Sequence, residues 1–345
     1  MGGSWPYCPE FVIGSTRNRG VCMETKPAEI SEAASKTSRT IILRGLLRLS
    51  KIRVFQHYFG LALAWLLLSP EALQRPGATT AMLLFLLGSV AIVACACASD
   101  DIAGFRNGSD LMNYQSDEQL RDIRAKPLLT GAVTERQALT FAVGSGFLAV
   151  LAGAAAFWAL DWDAPFSAYA LYLLGFAFSV QYSVGLKVSY RRGGGETLLC
   201  FSTAAGLLAP FLAVNRDWTW PAVAQALLLG LWLVMVSSYS NVNDVAGDRM
   251  AGRRTLAVTT GRTVQNAAMA AFFLLSAGLL TALAMTGGWP GWLLLTALPA
   301  TALHAAQLYH GPVRGQWLRA RKLGLIAYNL GFAGIAVPTF FALHR

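Results

Sequence analysis

Two aspartates one helical turn apart, Asp244 and Asp248, are the residues whose spacing most directly indicates chemistry. They follow an apolar run from Ala222 to Val236, and if that helix continues, both carboxylates lie on one face. Such a pair repels unless a cation lies between its members, and Mg²⁺ prefers one or two carboxylates together with substrate phosphates. Taken alone, the spacing also fits a solvated charged loop between two membrane helices.

Cations follow this pair, and a second acidic cluster lies earlier in the chain. Guanidinium groups bind phosphate oxygens through paired hydrogen bonds. The three that come directly after Asp248 are Arg249, Arg253 and Arg254. The second cluster consists of Asp100, Asp101 and Asp110. Two acidic clusters in comparable places favour a site for metal and phosphate over a solvated loop.

The composition indicates a membrane protein. Of the 345 residues, 55% are hydrophobic and 13% are charged, whereas a soluble domain carries about 25% charged residues. The net charge of +10 is therefore interpreted as a topology signal and not as a sign of nucleic-acid binding.

Nine apolar runs are long enough to cross a bilayer, which takes about 20 residues each. They lie near 53–70, 79–98, 137–160, 165–184, 196–214, 219–240, 266–287, 290–309 and 322–343. The predicted fold class is an all-α multi-pass membrane protein with nine transmembrane helices. Residues 1–45 are polar, so we expect a disordered cytosolic tail ahead of a membrane domain at 46–345.

The distribution of lysine and arginine predicts the orientation. With the N-terminus in the cytosol and alternating sides, only Arg75, Arg216 and Arg345 of the 28 basic residues fall outside, as the positive-inside rule requires. Both acidic clusters then lie at cytosolic ends of spans, where ionisable groups indicate a functional site. The predicted location is the cell membrane, with the active site at the cytosolic face.

Facing carboxylates and cations in an apolar bundle suit a diphosphate that is chelated through Mg²⁺ and carries a lipid chain. A prenyl diphosphate has both parts. Metal and basic groups would stabilise negative charge as its C–O bond ionises. The allylic cation then needs a nucleophile and protection from water.

The sequence resembles the UbiA superfamily of intramembrane prenyltransferases, which have nine transmembrane helices, over about residues 45 to 343. The second motif has the form NxxDxxxDxxxGxRTLA from Asn241 to Ala257. The run Arg124 to Gly131 resembles the family's RPLxxG stretch, and residues 182–187 with 190 and 193–196 resemble the loop after its fourth helix. The first motif most resembles NDxxDxxKGxD of the menaquinone-type, 1,4-dihydroxy-2-naphthoate prenyltransferase-like branch, through Asp101, Gly108, Ser109 and Asp110.

Two positions depart from that first motif. Asp100 stands for the usual asparagine, and Gly104 stands for the usual middle aspartate. Because positions 100 and 104 share a helix face, we hypothesise that a carboxylate has moved one turn and still serves the metal. On a straight helix Asp110 would lie opposite Asp101, so we expect Gly104 and Gly108 to let the chain unwind.

The resemblance implies a role for each candidate residue. The implied Mg²⁺ ligands are Asp100, Asp101, Asp110, Asp244 and Asp248. The implied diphosphate-binding residues are Arg124, Lys126, Lys187, Arg254 and Asn241, with Arg253 as an alternative to Arg254. Tyr182 would orient or shield the reacting carbon, and His57 is a candidate for the acceptor site. The implied catalytic set is Asp101, Asp110, Asp244, Asp248, Lys187 and Tyr182. Each cation also fits an ordinary topology-determining charge, and Tyr182 also fits an interfacial aromatic residue.

The function predicted from this resemblance is prenyl transfer to an aromatic acceptor, either a quinone precursor or a specialised-metabolite ring, with release of diphosphate. The alternative is a UbiA-type membrane terpene cyclase, which has the same metal site but no second substrate. A channel or transporter fits less well, because the predicted spans are almost free of charge at mid-membrane depth.

Overall fold

The computed structural model describes residues 39–114, 122–286 and 291–343, and these form helices joined by loops and turns. The chain divides into Met1–Ile41 and a compact body, Ile42–Arg345. Residues 1–38 of the predicted tail lie outside the described residues. A helix over 39–49 crosses the predicted domain boundary at 45.

Thirteen helices are labelled here in chain order within the described residues. They are α1 (39–49), α2 (Phe59–Leu67), α3 (Ala78–Arg106), α4 (Ser109–Tyr114), α5 (Glu135–Ala159), α6 (Phe166–Val180), α7 (Gly194–Asn215), α8 (Trp220–Asn243), α9 (Val245–Met250), α10 (Leu256–Thr259), α11 (Arg262–Thr286), α12 (Leu293–Leu308) and α13 (Trp317–Leu343).

Six of the described helices, α3, α5, α7, α8, α11 and α13, are long and apolar enough to cross a membrane. The other three predicted spans contain the shorter helices α2, α6 and α12. Nine crossings therefore remain a prediction, as does the orientation of the N-terminus.

The short helices have local causes. The residue before a proline is disfavoured in the helical region, and α2 ends at Leu67, three residues before Pro70, with Leu68 extended at ψ 134° and Ser69 at ψ 156°. Likewise α6 ends at Val180, so the last residues of the predicted run 165–184 form a loop. Hydropathy alone does not separate a long helix from a short helix followed by an apolar loop.

The core of the body lies around α8, which packs against α7, α11 and α13. Trp232 at its centre is 1% exposed and contacts Tyr328 edge-on, with ring centroids 6.4 Å apart. Gly331 of α13 lies beneath this indole, and a Cβ there would come within 2.6 Å of the ring. Small residues at such contacts let membrane helices approach closely.

One end of the bundle brings together the segments that carry the predicted motifs. The C-terminal ends of α3 and α8 meet there with the loop after α6 and the start of α7. The short helices α4 and α9, which follow α3 and α8, pack against each other. This end of the bundle is the candidate site.

Candidate active site at one end of the bundle

Asp110 returns to the site through a sharp turn at Gly108. The helix α3 stays regular through Gly104 and ends at Arg106, and Gly108 adopts a φ of +75° that favours glycine. The side chain of Asn107 accepts a hydrogen bond from the Ser109 amide (3.0 Å) and so supports the start of α4. The predicted unwinding at Gly104 is therefore wrong, because Gly108 alone provides the reversal.

Gly104 instead provides space for a carboxylate. A Cβ at this position would lie 2.6 Å from Asp110 Cγ, which is closer than real Cβ contacts. The Asp110 carboxylate thus lies against the helix surface where the usual middle aspartate would begin. Glycine at position 104, where aspartate is usual, therefore leaves the space that the Asp110 carboxylate occupies.

Lys126 bridges Asp101 and Asp110 of the first motif. Its Nζ lies 2.7 Å from Asp101 Oδ1 and 2.7 Å from Asp110 Oδ1, and Lys51 Nζ lies 3.2 Å from Asp101 Oδ2. Burial disfavours the charged form of Lys126, but the surrounding aspartates outweigh it and hold its pKa above the usual range. Burial also raises the pKa of Asp110, against the effect of Lys126. Lys51 was not predicted from the sequence, where it was one of many basic residues before the first span.

Arg253 connects three segments of the chain. Its Nη2 donates to Asp100 Oδ1 (2.6 Å) and to Ser183 Oγ (3.1 Å), and Ser183 Oγ also donates to Asp100 (2.5 Å). The guanidinium lies 5.9 Å from the centre of the Tyr182 ring. Despite burial, the Asp100 carboxylate holds the pKa of Arg253 above its usual range. The arginine therefore joins the first motif, the loop after α6 and the second motif.

The second pair of acids keeps its helical spacing across a break. Asp244 separates α8 from α9, yet the Asp248 amide still donates to the Asp244 carbonyl (2.9 Å). Asp248 is 3% exposed, and Arg253 Nη1 lies 3.9 Å from its carboxylate. Burial, reinforced by Asp244 and opposed by Arg253, raises the pKa of Asp248 to about 7. A buried acid with this shift would be stabilised in its charged form by a further cation.

Glu196 is a site residue for which the sequence predicted no role. It is 5% exposed, and its Oε1 accepts hydrogen bonds from Asn241 Nδ2 (3.2 Å) and the Leu256 amide (3.0 Å). Its Oε2 is buried without a hydrogen-bond partner among the described residues. The sequence signal that could have identified Glu196 is its position as an acid directly after Gly193–Gly195, at the start of a helix. Asn241, predicted to bind diphosphate, is engaged by this glutamate.

Three predicted cations lie outside this cluster. Arg124 is exposed and pairs with Asp122 (3.0 Å). Lys187 is exposed, adopts a φ of +47° and lies 5.4 Å from the Tyr190 ring. Arg254 is exposed, while its backbone amide donates to the Ser189 carbonyl (3.1 Å). Neighbouring loop residues project in different directions, so the motif alone did not distinguish Arg253 from Arg254.

A cavity of about 270 Å³ extends from this cluster into the bundle. Its α3 wall is a stripe at helical spacing from Asp101 back to Phe85, about 24 Å at 1.5 Å per residue. Other lining residues come from α2, α6, α7 and α8, among them Leu61, Leu171, Phe176, Leu198, Ala209, Pro210 and Leu233. Tyr182, His57 and Lys51 also line the cavity.

Three of the four serine and threonine hydroxyls in the cavity wall are turned toward their own helices. Ser179, Ser202 and Thr203 donate to the carbonyls of Gly175 (2.6 Å), Leu198 (2.8 Å) and Leu199 (2.7 Å). The interior is therefore apolar, and the charged groups lie at its mouth. Such a cavity suits a ligand with an anionic head and a hydrocarbon tail.

The acids fit a divalent cation that also binds substrate oxygens. Within 39–114, 122–286 and 291–343, no three His, Cys, Asp or Glu side chains are placed to hold a metal by themselves. Mg²⁺ commonly takes one or two carboxylates and completes its shell with phosphate oxygens and water. The buried acids Asp101, Asp248 and Glu196 supply hard oxygen donors of this type.

Comparison with known proteins identifies relatives. A model described as the UbiA prenyltransferase family matches residues 55–330. Digeranylgeranylglyceryl phosphate synthase of Halobacterium salinarum is 29% identical over 206 residues, which is 58% of this chain and 70% of that protein. This relative is not of the menaquinone-type branch that the first motif most resembles.

Solved structures share the fold at low sequence identity. A UbiA homologue from Archaeoglobus fulgidus bound to DMAPP and Mg²⁺ has a TM-score of 0.56 at 15% identity, over 85% of this chain and 99% of that one. An apo UbiA homologue from Aeropyrum pernix K1 has a TM-score of 0.59 at 18% identity, over 83% and 98%. A structure of digeranylgeranylglyceryl phosphate synthase in membranes has a TM-score of 0.62 at 16% identity, over 87% and 99%.

Proposed function

The chain belongs to the UbiA prenyltransferase family, and from that premise we propose that it transfers a prenyl group to an acceptor in a Mg²⁺-dependent reaction at the cytosolic face of the cell membrane. The observation that carries the proposal is the meeting of two acidic clusters, Lys126 and Arg253 at the mouth of an apolar cavity. This arrangement matches a ligand that is a diphosphate at one end and a hydrocarbon at the other.

Each part of the cluster has a role in the proposed reaction. Asp100, Asp101, Asp110, Asp244 and Asp248 would hold Mg²⁺, which supplies charge stabilisation for the departing diphosphate. Lys126 and Arg253 donate hydrogen bonds to diphosphate oxygens as the bond to the allylic carbon breaks and its electron pair leaves with oxygen. The acceptor then forms a bond to the allylic carbon and loses a proton.

Tyr182 and the apolar wall protect the allylic cation. The Tyr182 ring lines the cavity beside Asp100 and excludes water from the reacting carbon. The exposed Lys187, Arg124 and Arg254 act as outer cations that attract the diphosphate by long-range electrostatics. Asn241 acts through its hydrogen bond to Glu196.

The first candidate acceptor is an electron-rich aromatic ring. Phe176 and Tyr182 line the same cavity and offer faces for stacking, and His57 lines it as a polar group for a ring hydroxyl. The charged groups at the mouth would serve a terpene cyclase equally well, whereas His57, a polar lining residue apart from the two acidic clusters, supports a two-substrate transferase.

The second candidate acceptor is a glycerol phosphate. The curated relative from Halobacterium salinarum carries the name of a glyceryl phosphate synthase. In addition, Lys51 lines the cavity, and Arg48 nearby donates to the Arg124 carbonyl (3.2 Å). These cations would suit an acceptor with a phosphate group of its own.

An acceptor panel in reconstituted vesicles tests this proposal. The protein is supplied with Mg²⁺ and a radiolabelled prenyl diphosphate, first alone and then with dihydroxynaphthoate, other phenolic rings or glycerol phosphate. We expect an organic-soluble product only with an acceptor, and an aromatic one first. A terpene formed without an acceptor would indicate the cyclase, and turnover restricted to glycerol phosphate would replace the aromatic acceptor.

A further inference from the structure

We propose that the Tyr172 ring ends the cavity and sets the longest prenyl chain that the protein accepts. This inference rests on the proposed function, because it assumes that the prenyl tail lies in the cavity. It concerns the end of the cavity that lies farthest from the charged mouth.

The deep end of the cavity is closed by residues from three helices. Phe85 of α3, Tyr172 of α6 and Pro210 of α7 line it there. Phe85 is the first lining residue of α3, Tyr172 is one of the first two of α6, and Pro210 is the last of α7, whereas Asp100, Tyr182 and Leu198 lie at the opposite end of the lining. A tail that enters at the mouth therefore reaches Tyr172 last.

The ring of Tyr172 is fixed in position. Its hydroxyl donates to the Ala149 carbonyl of α5 (2.7 Å), and the residue is 7% exposed. Phe85 and Phe157 pack around it, with ring centroids 5.7 Å and 6.1 Å away. A hydrogen-bonded and closely packed ring does not move aside without the loss of these contacts.

Two glycines form the slot that holds this ring. A Cβ at Gly88 of α3 would overlap the Tyr172 hydroxyl, and a Cβ at Gly153 of α5 would overlap the ring carbons. The tyrosine therefore fills a gap between α3 and α5 that exists because both positions lack a side chain. Removal of the ring would extend the cavity into this gap, and a methyl group at Gly153 would push the ring toward the tail.

This geometry predicts opposite effects for two substitutions. Tyr172→Ala should favour longer prenyl chains, and Gly153→Ala should favour shorter ones. Tyr172→Phe keeps the ring and should leave the preference unchanged. Gly144→Ala on the same helix is the matched control, because a Cβ there meets no atom within 4 Å.

The test measures binding as a function of chain length. Radiolabelled geranylgeranyl diphosphate is bound to the full-length protein in detergent with Mg²⁺ and displaced by geranyl, farnesyl or geranylfarnesyl diphosphate. One added isoprene unit places apolar carbons in the new space, and we expect Tyr172→Ala to change the ratio of Kd values by about tenfold in favour of the longest ligand. Gly153→Ala should change the ratio in the opposite direction.

Unchanged ratios in Tyr172→Ala would overturn the proposal. If Tyr172→Ala does not fold, the Kd ratios of Gly153→Ala decide. Ratios equal to those of Gly144→Ala would also overturn the proposal. Absence of prenyl diphosphate binding in the unsubstituted protein would instead contradict the proposed function itself. The two failures are therefore distinguishable.

Discussion

At the scale of single residues, the first motif has a different set of carboxylates from the usual one. Asp100 is present where asparagine is usual, and Asp110 lies against Gly104, where an aspartate is usual. Asp100 is bound by Ser183 and Arg253 on one side, while Lys126 joins Asp101 and Asp110 on the other. Each of these two departures from the usual motif is matched by a contact with a residue distant from it in the pattern, which the sequence does not show.

Asp100→Asn tests whether this carboxylate serves the metal. The amide keeps an oxygen for Ser183 and Arg253 but loses the negative charge, so we expect loss of most of the turnover and a higher Mg²⁺ requirement. The measurement is a Mg²⁺ titration of prenyl transfer. Asp122→Asn, at an exposed aspartate paired with Arg124, is the control. Full rate in Asp100→Asn would reject the hypothesis that a carboxylate has moved along α3.

Gly104→Ala separates activity from stability. Alanine is favoured over glycine within a helix by about 1 kcal/mol, but its Cβ would displace the Asp110 carboxylate. We expect an unchanged or slightly higher Tm together with a loss of turnover. Gly278→Ala in α11, where a Cβ has open space, should leave turnover unchanged. Equal activity of the two variants would show that Asp110 does not need its place beside Gly104.

The structure brings the five predicted acids together at one end of the bundle, but it leaves three of the predicted cations exposed outside the cluster. Carboxylates at helical spacing at the ends of apolar runs are visible as a pattern, and all five lie at one end of the bundle. The direction of a loop side chain depends on backbone dihedrals that no pattern displays. Arg253 therefore lies in the cluster while Arg254 is exposed, and Lys51 and Glu196 were not assigned roles.

At the scale of helices, Glu196 connects the start of α7 to both sides of the second motif. Its single oxygen Oε1 accepts from Asn241 at the end of α8 and from the Leu256 amide at the start of α10. Without it, the Leu256 amide and the Asn241 side chain would lose a partner in a partly buried place, which costs less than the about 1–3 kcal/mol per group of full burial.

Substitution of Glu196 distinguishes positioning from charge. Glu196→Gln keeps an acceptor oxygen and should retain most of the turnover, whereas Glu196→Ala should lose at least about tenfold, equivalent to about 1.4 kcal/mol. The measurement is kcat and KM for the prenyl diphosphate, with Tm for each variant. If Gln is as damaging as Ala while both proteins stay folded, the charge of Glu196 contributes directly to the site.

The existence of the helices followed from hydropathy, but their lengths did not. Each of the nine apolar runs contains a helix in the described residues, and six are long enough to cross a membrane. Pro70 limits α2, and the loop after α6 takes residues that hydropathy assigns to a span. That loop carries Tyr182 and Ser183, so the early end of α6 leaves these two residues in a loop that forms part of the site.

At the scale of the whole molecule, the positive-inside pattern predicts on which side of the membrane the charged mouth opens. Single cysteines at Asp122 and at Asp217, both exposed, test this in a background without the native cysteines. An impermeant thiol reagent should label position 122 only from the cytosolic side and position 217 only from the other side. Labelling of both from one side would contradict the predicted topology.

In the proposed reaction, acids distant in sequence act on one diphosphate through Mg²⁺, since Arg253 links Asp100 to Asp248 across the mouth of the cavity. The most direct measurement is Mg²⁺-dependent diphosphate release by Asp101→Asn, Asp248→Asn and the control Asp122→Asn, each reconstituted with the acceptor that the panel identifies. We predict at least about a hundredfold loss in each motif variant, equivalent to about 2.7 kcal/mol, and near-normal release in the control. Full activity in either motif variant would contradict the claim that both clusters form one site.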